Sequence, residues 1–593
     1  MIYRDSFGVQ WMVWIGASAP VVAAGIGARW PAWHRHLPPD PQRPEGYREI
    51  AMTQTAGLAG HARILLGDQA VAFGAIDAGI TAAYSYPGTP ATEIMETILA
   101  AAPAGVTAQW TANEKTAYEA ALGVSMAGRR ALVSMKHVGL NVAADPFINS
   151  ALVAIGGGLV VAVADDPGMH SSQNEQDSRY LADFARIVCL EPASAQEAYE
   201  MTREAFDVSE RFGIPVLVRL VTRISHSRSL VTTSPSPVQA QRRAVNRVGG
   251  ADWTLLPVNA RRRWRHLLET QDALEAWSEA SPHTTLEIST DDRGLGVITA
   301  GIGLNHYLEN LPDLGFAPSH LHIGAYPVPA AAVRRLAERV DRILVVEDGY
   351  PFVERSLAGA LPTRWEVQGR DSGALPADGE LTPDTVRAAL GLPERHRIVA
   401  DRFDLPARPP QLCDGCPHHD SFRAVVAALE SVDGAMVTSD IGCYTLGALP
   451  PYEAIESCVC MGASIGMAKG ASDSGTRPTL AIIGDSTFLH SGVTPLLDAI
   501  AHDTDMTVLI LDNETVGMTG QQPTLLPDSR LGPLIAGLGV DPAHLHVLEI
   551  TPKRVDELAT LIRAEIAHPG LSVIVAVREC VEAIKHRRRA GRS

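Results

Sequence analysis

Apolar positions in this chain fall in short dense runs rather than in long amphipathic stretches, and most runs end at Gly, Pro, Asp, Asn or Ser. Runs of about four to eight residues, rich in Val, Ile and Leu and bounded by turn residues, predict buried strands. The first series comprises Ala82–Tyr86, a run ending near Gln109 and Trp110, Ala131–Met135, Leu159–Ala164 and Pro215–Val221. Small and apolar residues at helical spacing predict a helix across Ile64–Gly79 after a short turn, another from Thr92, and a third carrying Glu114. Strand and helix alternate, which predicts a doubly wound α/β sheet.

A change follows. Ser225 to about Asp291 is rich in Ser, Pro, Arg and Trp, with little strand pattern, and predicts a linker with helices around Arg261–Trp277. A second series opens at Gly294–Gly303, a strand running into a Gly-rich turn, and continues with Arg342–Asp348. The Gly-x-Gly there reads as a packing feature, because no acidic residue ending a following strand completes a dinucleotide fingerprint. A Pro-rich joint, Leu405–Pro410, opens a third series with Leu480–Ile483, Met506–Leu511 and Leu571–Val577. The expected organisation is an extension outside the fold (1–51), an α/β domain (58–228), a linker (229–291), a second α/β domain (292–400), a third (405–585) and a basic tail (586–593).

A length of 593 residues is too great for one core, and 46% apolar with 20% charged residues is ordinary globular usage. A net charge of −17 argues against a nucleic-acid partner, which needs clustered Lys and Arg. The basic run Lys585–Arg589 reads as a solvated tail. Seven cysteines without a framework of pairs predict a reduced, cytoplasmic protein whose thiols bind metal or fill core. Ser6–Ala28 carries no charge, so its length would permit a membrane anchor. Gly, Ser, Ala and Pro dilute it, and the preferred reading is an upstream extension with no membrane span.

Chemistry concentrates at two strand ends. Leu480–Ile483 breaks into Gly484-Asp485-Ser486-Thr487, and Met506–Leu511 ends in Asp512-Asn513-Glu514-Thr515. Ligands of open parallel sheets sit at carboxyl strand ends, and Mg²⁺ takes oxygen ligands while bridging phosphates. Asp485 and Asn513 suit that cation. Gly484 would let the backbone approach a diphosphate without a Cβ, and the Ser486 and Thr487 hydroxyls would donate to it. Two ordinary polar turns would look the same. The loop continues through Thr515-Val-Gly-Met518-Thr519, and Ser457–Ala468, with Gly462, reads as a small-residue start to a helix.

With these loops, the segments Tyr86-Pro-Gly-Thr-Pro90, Asn113-Glu-Lys115, Met135–Asn141, Cys413-Asp-Gly-Cys-Pro-His418 and Asp440-Ile-Gly-Cys443 follow one another in the order of a known family. Over roughly residues 60–585 the chain resembles the thiamine-diphosphate 2-oxoacid:ferredoxin oxidoreductases, most closely the large (alpha) subunit of indolepyruvate ferredoxin oxidoreductase. The resemblance implies three doubly wound α/β domains, binding the pyrimidine, forming a middle unit and binding the diphosphate. It implies thiamine diphosphate held by Gly484, Asp485, Ser486, Thr487, Asn513, Thr515, Met518, Thr519 and Gly462, with Mg²⁺ on Asp485, Asn513 and Thr515. Glu114 would be the carboxylate at the pyrimidine, where burial would raise its proton affinity. The alternative for Glu114 is a solvated helix carboxylate paired with Lys115 or Lys136. Thr89 would meet the substrate carboxyl end, and His137, beside Lys136, would supply protons or serve only the structure.

Cys413, Cys416, Cys443 and Cys580 fall where many relatives hold a [4Fe-4S] cluster, for which four thiolates suffice. A CxxC alone is equally compatible with zinc or a redox pair, and indolepyruvate-type large subunits usually keep their clusters elsewhere. The family's C-terminal ferredoxin-like cysteine runs are absent here. The implied reaction is oxidative decarboxylation of an aryl, indolepyruvate-like, or branched 2-oxoacid to its acyl-CoA, with a smaller beta subunit, ferredoxin or another acceptor, coenzyme A, and two copies of each subunit. The missing relay keeps open a non-oxidative decarboxylase or carboligase, or a non-catalytic scaffold.

Overall fold

A computed structural model describes residues 2–4, 10–12, 61–234, 251–360, 365–395, 410–526 and 530–590. Ile2–Arg4 and Gln10–Met12 form a small antiparallel pair. The rest of the N-terminal extension, with most of its candidate anchor, and the Pro-rich joint up to residue 409 lie outside the described residues. Among the described residues no helix is long and apolar enough to cross a membrane.

Three larger sheets, of seven, five and five strands, organise the chain. The first runs Ala325–Tyr326, Val188–Leu190, Val216–Val221, Leu159–Asp165, Ala131–Lys136, Ala82–Ser85, Thr107–Trp110 in spatial order. It is parallel except at the Ala325–Tyr326 edge. Every residue of Leu159–Asp165 and Val216–Val221 is buried. Strands covered on both faces need continuous apolar runs, which is why the sequence signal there is strong. The second sheet orders Thr284–Glu287, Ser319–Ile323, Leu295–Ala300, Arg342–Val346 and Glu366–Gln368; the third, wholly parallel, orders Met436–Ser439, Thr479–Gly484, Met506–Asp512, Leu571–Val577 and Leu545–Glu549. In the second, Gly303 stands where a Cβ would run into the Val346 carbonyl, in keeping with a packing role for the Gly-x-Gly.

Two expectations are corrected. The run expected as the start of a helix is a strand, His61–Leu66, paired antiparallel with Arg228–Thr233, and the helix begins at Gly67. Ile64 is exposed while Leu65 is buried, and a short apolar run of this kind does not distinguish a strand from a helix. The stretch expected as a linker carries the helix Pro257–Ala280 and also Thr284–Glu287, the antiparallel edge of the second sheet. That edge alternates between partly buried and exposed positions, so its apolar signal is weak. The basic run lies on the helix Val581–Ala590, where Lys585 reaches Glu582 at 2.6 Å and residues 585–588 are exposed.

One continuous apolar core serves the first sheet and one face of the second, whereas the third sheet has separate cores on its two faces. A buried ionic network joins the first two sheets. Arg219 Nε lies 2.7 Å from Asp165, its Nη1 meets Glu191, and its Nη2 donates to the Asp348 carbonyl at 2.9 Å. Arg179 pairs with Asp177 and, at 2.9 Å, with Glu347; Arg370 meets Asp348 at 3.0 Å. Buried charges persist only when paired and hydrogen-bonded, and removing one partner strands the others. Arg219→Met is expected to destabilise the protein by about 3–5 kcal/mol, read by denaturant unfolding at neutral pH. A loss near zero would show the network to be replaceable.

Candidate active site

Thr479–Gly484 and Met506–Asp512 are adjacent parallel strands with Gly484 opposite Leu511, so Asp485 and Asn513 leave the same sheet edge side by side. Asp485 is buried, and its Oδ2 and the Ser486 hydroxyl have no hydrogen-bond partner. Burial first, then the neighbouring Asp512 charge, pushes the Asp485 carboxyl up to about 8. Unpartnered buried oxygens of this kind call for a ligand. A divalent cation carrying a diphosphate fits them, since it would stabilise the carboxylate that burial disfavours. Asn513 Nδ2 lies 3.4 Å from His418 Nε2, and its Oδ1 accepts from the Thr515 N–H at 3.2 Å. Burial and the adjacent His419 pull His418 down to about 4, so it is neutral at pH 7 and can accept from the amide.

Other loop residues are committed elsewhere. The Thr515 hydroxyl donates to the Gln522 carbonyl at 2.9 Å, and Thr519 Oγ1 donates to Gln522 Oε1 at 2.6 Å. Met518 is exposed, and Gly462 caps the helix Ala463–Asp473 with φ of +83°. The Thr487 hydroxyl donates to the Ile441 carbonyl at 3.0 Å, so it is not free to meet a phosphate as expected. Gly484 is also there for another reason: a Cβ would strike the Tyr444 ring, whose hydroxyl donates to the buried Asp440.

The first sheet supplies the facing wall. Asn113 caps the helix Glu114–Met126, accepting from the Thr116 N–H at 2.9 Å, and leaves Glu114 buried in the first turn. Glu114 Oε2 is 2.8 Å from His490 Nε2, and Asn113 Nδ2 donates to the His490 carbonyl at 3.0 Å. A Cβ on Gly139 would lie 2.6 Å from Glu114 Oε1, so the carboxylate rests in a hollow that only glycine leaves open. The solvated alternative does not hold: Lys115 pairs with Glu119, and Lys136 Nζ donates to the Ser171 carbonyl at 3.1 Å. Tyr86 packs edge-on against His490, centroids 4.6 Å apart, with its buried hydroxyl unpartnered. Burial, then the charges of Glu114 and Asp485, raise that phenol. A narrow cleft between the walls is lined by Tyr86, Pro87, Trp110, Ser486, Leu489 and Pro523. Gln522 Nε2 crosses between the walls to Glu96 at 2.8 Å.

Thr89 and His137 stand on the rim of the first sheet. The Thr89 carbonyl accepts from the Ser171 hydroxyl at 3.2 Å. His137 is buried with Nε2 at 3.2 Å from Asn174 and lines a different cavity, of about 360 Å³, with Asn141, Tyr180, Tyr350 and Arg355. Glu114 thus meets, through His490, the segment that carries Asp485 and Ser486, while His137 lines the neighbouring cavity.

The four cysteines come from three segments of the third body and share one neighbourhood. Burial pushes the Cys443 thiol up to about 12, and Cys416, Cys580 and Cys413 each add to that rise. All four are free thiols. The Cys413 carbonyl accepts from the Cys416 N–H at 2.9 Å, and the Cys580 N–H donates to the Asn513 carbonyl at 3.1 Å, which ties the thiols to the cation loop. Four thiols gathered in this way fit an iron-sulfur cluster.

His490 and Tyr86 join the site without a functional mark in the sequence. His490 sits in a π-helical turn, Phe488–Gly492, a feature frequent at functional sites. Its signal was a lone imidazole soon after the Gly484 loop. Tyr86 lay inside a quoted motif but carried no acid–base mark.

Two family models match these walls. "Pyruvate flavodoxin/ferredoxin oxidoreductase, thiamine diP-bdg" covers residues 73–255, and "Thiamine pyrophosphate enzyme, C-terminal TPP binding domain" covers residues 440–576. Fold and site thus define a thiamine-diphosphate-dependent oxidoreductase of the 2-oxoacid type. Indolepyruvate oxidoreductase subunit IorA of Archaeoglobus fulgidus is 36% identical over 89% of this chain and 88% of its own length, and that of Pyrococcus abyssi is 35% identical over 89% and 87%. The chain belongs to this IorA family. 2-Oxoglutarate synthase subunit KorA of Archaeoglobus fulgidus is more distantly similar, 27% identical over 48% of this chain and 87% of its own length.

A carboxyl raised from 3.8 to about 8 binds its proton more tightly folded than unfolded. Without divalent cation, Asp485 therefore removes stability as pH rises from about 4 to 8. A divalent cation held by Asp485 would compete with that proton, so the affinity for Mg²⁺ is expected to climb about tenfold per pH unit below 8 and level off above it. Calorimetric titration of wild type and Asp485→Asn at pH 6–9 checks this; a flat wild-type profile contradicts it.

Proposed function

We propose that the chain is the coenzyme-binding subunit of an enzyme converting an aryl, indolepyruvate-like, or branched 2-oxoacid and coenzyme A to acyl-CoA, carbon dioxide, one proton and two electrons. The electrons pass singly to an iron-sulfur acceptor and on to ferredoxin or a similar carrier. A smaller beta subunit works with this chain, with two copies of each. The observation that carries the reading is Glu114, buried and hydrogen-bonded to His490 in the turn that follows the Asp485 loop, in a chain 36% identical to an indolepyruvate oxidoreductase subunit.

Thiamine diphosphate, when bound, supplies the carbon nucleophile for the keto carbon and the electron sink for decarboxylation. Asp485 and Asn513 would hold Mg²⁺ through side-chain oxygens, with Ser486 donating to phosphate. Thr515 would join them through its main chain, because its hydroxyl is already bonded to Gln522. Glu114 would accept and return a proton at the coenzyme's pyrimidine, and His490, its hydrogen-bond partner, would hold it in place until then. Tyr86 and Trp110 keep water out of the cleft. Thr89 would meet the substrate carboxyl end, and His137 would supply protons from the rim. Cys413, Cys416, Cys443 and Cys580 would bind one [4Fe-4S] cluster, within electron-transfer reach of the cation loop through the Cys580–Asn513 contact.

Anaerobic co-purification with the partner subunit is expected to yield brown protein with about four irons per copy of this chain. Glu114→Gln is expected to keep coenzyme binding and lose about 10²–10⁴-fold in indolepyruvate-dependent reduction of ferredoxin. A colourless complex that releases aldehyde without reducing any acceptor would replace the oxidative reaction with simple decarboxylation.

A further inference from the structure

Away from the cleft, three segments of the first sheet's body converge on a buried polar cluster. Asp68 lies in the first turn of the helix Gly67–Asp77, Glu93 in that of Thr92–Ala101, and His226 ends the short helix Thr222–His226. One ligand atom from each lies within 4.8 Å of the others. Asp68 is wholly buried, yet neither of its carboxylate oxygens has a hydrogen-bond partner. Glu93 Oε2 and His226 Nε2 are also buried without a hydrogen bond, 3.5 Å from each other. Among the described residues this is the one ion pair that Asp68 or Glu93 makes, and Glu96 adds a third carboxylate nearby. Burial, Glu93 and Glu96 all raise the Asp68 carboxyl, while the adjacent Ser225 hydroxyl only partly offsets them.

An unpartnered carboxylate buried beside a second carboxylate needs a positive charge. We propose that Asp68, Glu93 and His226 form a site for a divalent transition-metal ion, of which Zn²⁺ is the representative. Imidazole suits zinc and its neighbours, whereas Mg²⁺ and Ca²⁺ favour sets made only of oxygens. A metal here would staple the first helix to the helix that follows the Tyr86–Pro90 loop. One turn along that second helix, Glu96 bonds Gln522 of the cation loop, so the staple braces the wall of the cleft. The site is independent of thiamine diphosphate, and its role is positional.

The test uses the full chain with its partner subunit, stripped with chelator and then equilibrated with Zn²⁺ in millimolar Mg²⁺. Zinc per chain is counted by mass spectrometry after gel filtration, and the melting temperature is recorded with and without zinc. Wild type is expected to retain about one zinc more than Asp68→Asn or His226→Gln, and zinc is expected to raise the melting temperature of wild type alone. Asp68→Asn replaces an unpartnered buried carboxyl with a neutral amide of the same shape, so its metal-free melting temperature should lie close to that of wild type. His226→Gln, at a partly exposed position, serves if Asp68→Asn does not fold. Equal zinc and equal thermal response in wild type and variant would overturn the site. Because thiols are the same in all samples, zinc held by cysteine cancels in the comparison.

Discussion

Glu114 and His490 meet across the cleft, and the active-site architecture depends on that contact. Each belongs to a different sheet with its own core, and each is buried where an unpaired charge or imidazole would be costly. Asn113 adds a second bond to the same histidine, and Gln522–Glu96 a third at the edge of the cleft. These contacts fix which strand ends face one another. The unpartnered oxygens of Asp485 and Ser486 lie on the segment that ends at this histidine.

Two sets of buried polar groups stand out in this protein. Those of the Arg179, Arg219 and Arg370 network pair with one another and hold two sheets together, with single oxygens of Asp165 and Asp348 left over. Those at Asp485, Ser486 and Tyr86 retain unpartnered atoms, and they cluster where the carboxyl ends of the strands point. A folded protein tolerates such atoms at the expense of stability, and they mark where binding recovers it.

Much of this was legible in the sequence. The buried parallel strands announce themselves because both faces must be apolar, and Asp485 and Asn513 announce themselves because polar loop residues end such strands. Edges were less legible: His61–Leu66, Arg228–Thr233 and Thr284–Glu287 alternate or are brief, so pairing partners decide their form. Glu114 could be named from its motif, but its burial depends on Gly139 and His490, which are remote or unremarkable in sequence. The roles expected of Gly484 and Thr487 shifted because Tyr444 and Ile441, more than forty positions away in sequence for Thr487 and Ile441, had already taken their space or their bond.

The separation of cores has an evolutionary corollary. The chain passes from the shared core of the first two sheets to the third body once, between residues 395 and 410, and the contacts across the cleft named here are hydrogen bonds and a single ring edge. A gene broken at that crossing would sever no hydrophobic interior. Two polypeptides made from its halves could each fold and then reunite around a shared small molecule, which makes fission and fusion of such genes a low-barrier step.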